Sequence, residues 1–131
     1  MSQQYGDCYE SSLKNAEELQ GMKDAVEQSL PTAYIFKKLY NDLKLNREIY
    51  VVHGSAIPPI GPHKGRHIIH AWIEIGDTVI ETSNNQLDSY PKEEYYKTHS
   101  INPIIRYSVI EALQKVEKYK IFGPWHTMRP K

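Results

Sequence analysis

Residues 66–84 carry the pattern that most restricts the fold of this chain, because apolar and polar side chains alternate on both sides of Gly76-Asp77. Alternation with a period of two is typical of half-buried β-strands, and Gly-Asp is a favourable turn between two such strands. The segment therefore predicts a β-hairpin, with one face turned towards a core.

The register of this hairpin decides which side chains share a face. If Ile75 lies opposite Thr78, the antiparallel pairing continues along both strands. The further pairs are then Glu74 with Val79, Trp72 with Glu81, and His70 with Ser83. These six side chains are predicted to share one face. The opposite face is predicted to cover the core with Ala71, Ile73, Ile75 and Ile80.

His70 and Glu81 are diagonal neighbours in this register, about 7–8 Å apart at the backbone, and a glutamate side chain can close that gap. A histidine oriented by a carboxylate is half of a nucleophilic site. The chain contains one cysteine, Cys8, so an internal disulfide and a cysteine-rich zinc site are excluded. Three interpretations of Cys8 stay open: a small buried apolar residue, an incidental surface thiol, or a reactive thiolate.

The surroundings of Cys8 indicate the start of a helix over residues 7–20. Asp7 is a favourable N-cap, and Glu10 completes a capping-box pattern three residues later. Cys8 then falls in the first turn, where free backbone N–H groups and the helix dipole favour a thiolate, although the two acidic residues oppose it. Gly6 leaves room for a substrate backbone to approach.

Length and charge narrow the class of protein. A chain of 131 residues predicts one domain over 1–131, large enough to bury a core. Its 16 basic and 16 acidic residues balance, so no global field favours nucleic acid or an anionic membrane as a partner. The first five residues lack a secretory-signal pattern, and no apolar run reaches the ~20 residues of a membrane helix. We therefore expect a cytoplasmic protein.

The other segments alternate between helical and extended patterns, so we expect an α+β fold. Most of the helical apolar residues are interpreted as core packing. The loop over 58–65 is either a surface connection or the wall of an access groove. The predicted elements are a helical segment over 22–30 after a break or bend at Gly21, a helix over 31–44, a strand over 48–57, a polar turn over 84–90, a short helix over 91–97, a strand over 101–107 that Pro103 delays or places at an edge, a helix over 108–119 capped by Ser108 with Glu111, and a docking tail over 121–126.

A cysteine on a helix start, a histidine on a strand and an acid on the next strand are the groups that acyl transfer requires. The thiolate attacks a carbonyl carbon, the imidazole removes and returns a proton, and the third group fixes the imidazole tautomer.

Three motifs strengthen this interpretation: Gly-Asp-Cys at 6–8, His-Ala-Trp-Ile-Glu at 70–74 and Val-Ile-Glu-Thr-Ser at 79–83. Together they resemble the transglutaminase-like branch of the papain-like cysteine hydrolases. The resemblance implies an α+β fold in which the N-terminal helix carrying the cysteine packs on an antiparallel sheet. It also implies that Cys8 is the nucleophile, His70 the general base and acid, and Glu81 the orienting carboxylate where the family usually has Asp.

The same resemblance implies candidates for supporting roles. The oxyanion donor is Gln3 or Gln4, or the backbone N–H of Cys8. An amide, Asn84 or Asn85, is the alternative to Glu81 as the orienting group, although the register favours Glu81. The residues proposed to line the pocket are Trp72, beside the histidine, and His53, at the end of its strand.

Two other classes of function use some of the same residues. A metal site could use His63, His67 and His70 with His53 nearby, but residues 67 and 70 point to opposite faces of a strand, so no metal or other cofactor is expected. The second alternative is a catalytically inactive module of this fold that binds a peptide or protein. The main hypothesis is an enzyme that acts on a peptide or amide bond through a thioester; the sequence does not define hydrolysis versus acyl transfer, the exact substrate or the oligomeric state.

Overall fold

The computed structural model describes residues 6–82 and 87–125, with side chains described from Cys8 onward. These residues form an α+β fold of four helices and one antiparallel sheet with strand order β4-β3-β2-β1-β5. The elements in chain order are α1 (Gly6–Glu27), α2 (Tyr34–Asp42), β1 (Ile49–Ala56), β2 (Ile68–Ile75), β3 (Thr78–Glu81), β4 (Asp88–Pro91), α3 (Lys92–Thr98), β5 (Ile104–Ser108) and α4 (Val109–Tyr119). Within the described ranges, no helix combines the length and the apolar character needed to cross a bilayer.

The hairpin forms as predicted. Ile75 lies opposite Thr78 and Glu74 opposite Val79, so the expected register of β2 and β3 is confirmed. The turn is closed at Gly76, whose φ of 58° is a backbone conformation that glycine adopts without strain. Ser83, the expected partner of His70, lies outside the described residues.

Both faces of the hairpin are buried, which differs from the expected half-buried hairpin. On one face, α1 packs against Ile73, Ile75 and Ile80, which were predicted to cover a core. On the other face, Trp72 and Val79 belong to a second apolar cluster that α3 and the segment before β5 complete. The face predicted to carry the functional groups therefore has an apolar layer of its own, and its polar side chains are held inside the protein.

Helix α1 runs without interruption from Gly6 to Glu27, so the expected break at Gly21 is wrong. A glycine in a helix interior costs only about 1 kcal/mol relative to alanine. Leu19 is buried in the core, and Met22 packs against the same core, so packing on both sides of the glycine keeps the helix continuous. Helix α2 is shorter than predicted, and none of its side chains is fully buried.

A strand replaces part of the expected polar turn over 84–90. Strand β4 begins at Asp88, which lies opposite Glu81, and ends at Pro91, which lies opposite Thr78. Proline has no N–H to donate to a ladder, and an edge strand such as β4 accommodates it. Residues 83–86 of that predicted turn lie outside the described residues.

The C-terminal third follows its sequence signals. Strand β5 begins after Pro103 and lies at an edge of the sheet, as predicted. The capping box of α4 is present, because Ser108 Oγ accepts from the Glu111 N–H and the Glu111 carboxylate accepts from the Ser108 N–H. Phe122 and Trp125 pack against the core, so the tail docks back onto the domain; His126 lies outside the described residues.

Two glycines give opposite predictions for substitution by alanine. A Cβ at Gly54 would lie 2.6 Å from an indole carbon of Trp72, so Gly54→Ala must displace a buried ring. We expect it to lower the free energy of unfolding by about 1–3 kcal/mol. A Cβ at Gly21 meets nothing within 4 Å, so Gly21→Ala is expected to raise that free energy by about 0.5–1 kcal/mol. Urea unfolding of both variants checks the signs, and equal effects would contradict the described packing of Trp72.

Candidate active site

The first turn of α1 lies at the open end of the hairpin. Cys8 is 5% exposed and packs against Ala71 of β2 and the ring of Tyr9. A hydrogen bond of 2.8 Å between the hydroxyls of Ser11 and Thr82 joins α1 to the residue that follows β3. The helix that carries the cysteine therefore contacts the hairpin at two points. One is next to His70 on β2, and the other is next to Glu81 at the end of β3.

His70 contacts both of the other predicted catalytic residues. Its Nε2 lies 3.0 Å from each carboxylate oxygen of Glu81, and its side chain also hydrogen-bonds Cys8. The His70 and Glu81 side chains are 17% and 18% exposed, so the pair is partly shielded from water. Because Nε2 faces the carboxylate, Nδ1 is the ring nitrogen left for the thiol. The structure thus brings Cys8, His70 and Glu81 together as one chain of polar contacts.

The environment of His70 stabilises its protonated form. Burial lowers the pKa of His70, but hydrogen bonds to Cys8 and Glu81 and the charges of these two groups raise the pKa from 6.5 to about 10. The contacts with a sulfur atom and a carboxylate therefore favour the imidazolium form of the ring. A cation in this position favours the thiolate form of a neighbouring cysteine, which is the nucleophilic form.

Glu81 has a second partner that the sequence analysis did not identify. The hydroxyl of Tyr95, on α3, donates a hydrogen bond to Glu81 Oε2. Burial and the Glu81 carboxylate raise the pKa of Tyr95, so the hydroxyl remains protonated. Tyr95 follows Glu81 by 14 residues, and periodicity within α3 does not reveal that contact. The only signal in the sequence was a tyrosine on a short helix next to the hairpin, since a buried tyrosine hydroxyl needs a partner.

Trp72 lies beneath the histidine and is completely buried. The centroids of the Trp72 and His70 rings are 6.0 Å apart. The indole N–H donates to Glu74 Oε2 over 3.1 Å, and Glu74 also accepts hydrogen bonds from the Tyr96 hydroxyl and, over 2.8 Å, from Arg106 Nε. This second set of contacts holds Trp72 in the core, and its complete burial means that the expectation of an open pocket lined by Trp72 is wrong.

His53 lies in a different environment from the one predicted. It is completely buried, and its ring centroid lies 4.9 Å from those of Tyr9 and Trp125 and 5.2 Å from that of Tyr107. The expectation that His53 lines an open cleft is therefore wrong. The physical reason is that β1 is an inner strand of the sheet, and that α1 and the segment around Trp125 cover this face.

Glu81 lines a surface pocket of about 370 Å³. Pro59 and Ile60 of the loop over 58–65 contribute to its wall, so this loop borders a pocket that Glu81 also lines. The other walls come from β4 and α3. The lining residues are Pro59, Ile60, Glu81, Asp88, Tyr90, Tyr95, Thr98 and His99.

Four of the predicted site residues fall outside the described part of the chain. Gln3 and Gln4, the side-chain candidates for the oxyanion donor, and Asn84 and Asn85, the alternative orienting groups, lie outside the described residues. Within the described part of the chain, no three His, Cys, Asp or Glu side chains are grouped in a way that could hold a metal ion.

Comparison of the chain with protein-family models, with curated proteins and with solved structures found no match. The functional argument therefore depends on the geometry of the site itself.

The described contacts predict how His70 titrates. We expect Glu81→Gln to lower the pKa of His70 by at least ~1 unit, because the substitution removes a negative charge in direct contact with the imidazole. Titration of the ring ¹⁵N chemical shifts by NMR measures this pKa directly. Glu17→Gln, on the exposed surface of α1, is the matched control and should leave the titration unchanged. An unaltered His70 pKa in Glu81→Gln would contradict the ion pair.

Proposed function

We propose that this protein is a cysteine-dependent hydrolase or acyl transferase with a papain-like or transglutaminase-like core, acting on a peptide or amide bond. The observation that carries the proposal is the chain of contacts from Cys8 through His70 to Glu81. These residues come from α1, β2 and β3, which are separate elements, and they meet in the order that nucleophilic catalysis by a thiol requires.

In the proposed reaction, the Cys8 thiolate attacks the carbonyl carbon of the substrate, and a C–S bond forms while the carbonyl oxygen takes the negative charge. The carbonyl then reforms as the C–N bond breaks, and the imidazolium of His70 gives its proton to the departing amine. The product of this half-reaction is a thioester on Cys8. His70, now neutral, removes a proton from water or an acceptor amine as it attacks the thioester and releases the cysteine.

The start of α1 supplies a further requirement of this chemistry. The first N–H groups of a helix have no partner within the helix, and the backbone N–H of Cys8 is among them. A backbone donor at the nucleophile is a suitable group to stabilise the developing oxyanion. Gln3 or Gln4 would provide the second donor, as in the family that the sequence resembles.

Glu81 orients the imidazole in this proposal. Its carboxylate accepts from Nε2, so Nδ1 faces the thiol, and its charge stabilises the imidazolium that forms when Cys8 is deprotonated. Burial of the pair strengthens both effects, because less water screens the charges.

The experiment is the pH dependence of alkylation of Cys8 by iodoacetamide in the native chain and in His70→Ala. Cys8 is the only thiol, so mass spectrometry counts one site without ambiguity. At pH 6 an ordinary thiol with a pKa of ~8.5 is only about 0.3% thiolate. A thiolate of low pKa is a weaker nucleophile, which offsets part of the gain. We expect the native chain to react about 10-fold faster than His70→Ala at pH 6.

His67→Ala is the matched control, since His67 is an exposed histidine just before β2 and should leave the native rate intact. If the native thiol and the thiol of His70→Ala share one ordinary titration curve, the Cys–His pair does not operate. The fold would then serve another role, and binding of a peptide or protein without catalysis would take its place as the hypothesis.

A further inference from the structure

The carboxylate of Glu81 is shared between two elements of the fold. The carboxylate contacts the imidazole of His70, and its Oε2 also accepts a hydrogen bond from the hydroxyl of Tyr95. Tyr95 is buried, and its ring stacks on that of His99 with centroids 4.2 Å apart, so α3 holds the hydroxyl in a fixed position.

Glu81 needs such a restraint because its side chain has an alternative place to go. Glutamate has three side-chain torsions, and Glu81 is one of the residues that line the pocket of about 370 Å³. The acidic side chain of Asp88 lines the same pocket, but its negative charge repels Glu81 and offers it no support. A carboxylate that turned into the pocket would be hydrated there and would lose its contact with His70.

We propose that Tyr95 is a positioning residue of the active site, which holds the Glu81 carboxylate against His70 and so maintains the charged Cys8–His70 pair. This inference rests on the proposed function and extends it by a fourth residue from a fourth element. Tyr95 acts through Glu81 and does not touch the thiol or the imidazole in this role.

A hydroxyl suits this role because it does not titrate where the site works. Burial and the neighbouring carboxylate raise the pKa of Tyr95 above its ordinary value, so the hydroxyl keeps its proton and donates a hydrogen bond to Glu81. Several other titratable groups face this part of the site and share its electrostatic environment. They are Cys8 from α1, His70 from β2, Asp88 and Tyr90 from β4, and His99 just after α3.

The chain contains a matched control at the next position. Tyr96 lies on the same helix, and its hydroxyl also donates a hydrogen bond to a glutamate. That glutamate is the buried Glu74, which contacts Trp72 and Arg106 instead of His70. Tyr95→Phe and Tyr96→Phe each remove one hydroxyl and keep the ring. Only the first removes a hydrogen bond from the residue that orients His70.

The experiment measures the midpoint pH of Cys8 alkylation in the native chain and in both variants, with thermal unfolding of each as a check on folding. Tyr95→Phe is expected to move the midpoint upward by roughly 0.5–1 unit. Without the hydroxyl, the Glu81 carboxylate contacts His70 for less of the time, so the imidazolium is less stable and favours the Cys8 thiolate less. Tyr96→Phe is expected to keep the native midpoint. A downward shift in Tyr95→Phe would mean that the hydroxyl competes with His70 for the carboxylate, and would overturn the proposal.

A double-mutant cycle tests whether Tyr95 acts through Glu81. In the Glu81→Gln background, Tyr95→Phe should produce little further shift, since effects that pass through one residue are not additive. Equal shifts in both backgrounds would show an independent effect and contradict the positioning role. His70→Ala separates the two hypotheses. If neither His70→Ala nor Tyr95→Phe changes the alkylation curve, the proposed function fails. If His70→Ala changes the curve and Tyr95→Phe does not, only the role of Tyr95 is rejected.

The unmodified chain provides a second test that does not depend on a variant folding. The Tyr95 hydroxyl proton should give a slowly exchanging NMR signal whose shift follows the titration of the His70 ring. If the hydroxyl proton exchanges rapidly with water, or if its chemical shift does not change as His70 titrates, Tyr95 and His70 do not share the Glu81 carboxylate.

Discussion

The contact between His70 and Glu81 across one hairpin is the interaction on which the candidate site depends. It exists because the register of β2 and β3 sets the two residues diagonally on one face, with Ile75 opposite Thr78 at the turn. A slip of one residue would turn Glu81 to the α1 side and would also turn the core residue Ile80 towards the other cluster. The apolar packing of the hairpin and the geometry of the site are therefore fixed by the same register.

The same short helix donates a hydrogen bond to each of two glutamates on this face, one buried and one partly buried. Tyr95 donates to Glu81 and Tyr96 to Glu74, so α3 supplies one hydroxyl to each carboxylate. Glu74 also pairs with Arg106, a permanent cation, and this set of contacts holds the fold together. Glu81 pairs instead with a histidine that contacts Cys8, and in the proposed function its charge stabilises the imidazolium. The two carboxylates therefore lie in separate networks within one layer of the protein.

Local patterns in the sequence predicted those features that local interactions determine. Alternation and a Gly-Asp turn define the hairpin, and Ser108 with Glu111 defines the start of α4, because each signal lies within a few residues. The contacts that were missed depend on distant parts of the chain. His53 is buried by Tyr9 and Trp125, the break at Gly21 is prevented by core packing, and Tyr95 reaches Glu81 only after β4 and α3 have folded back.

The most direct test of the central claim is acylation of Cys8 by an activated ester at pH 6, followed by intact and tandem mass spectrometry. With p-nitrophenyl acetate, thiolate attack breaks the ester C–O bond, forms an acetyl thioester and releases p-nitrophenolate. The account predicts one acetyl group on Cys8, formed much faster in the native chain than in His70→Ala, and continued release of p-nitrophenolate beyond one equivalent as the thioester turns over. Acetylation of lysines without Cys8, or equal rates in the two proteins, would contradict it.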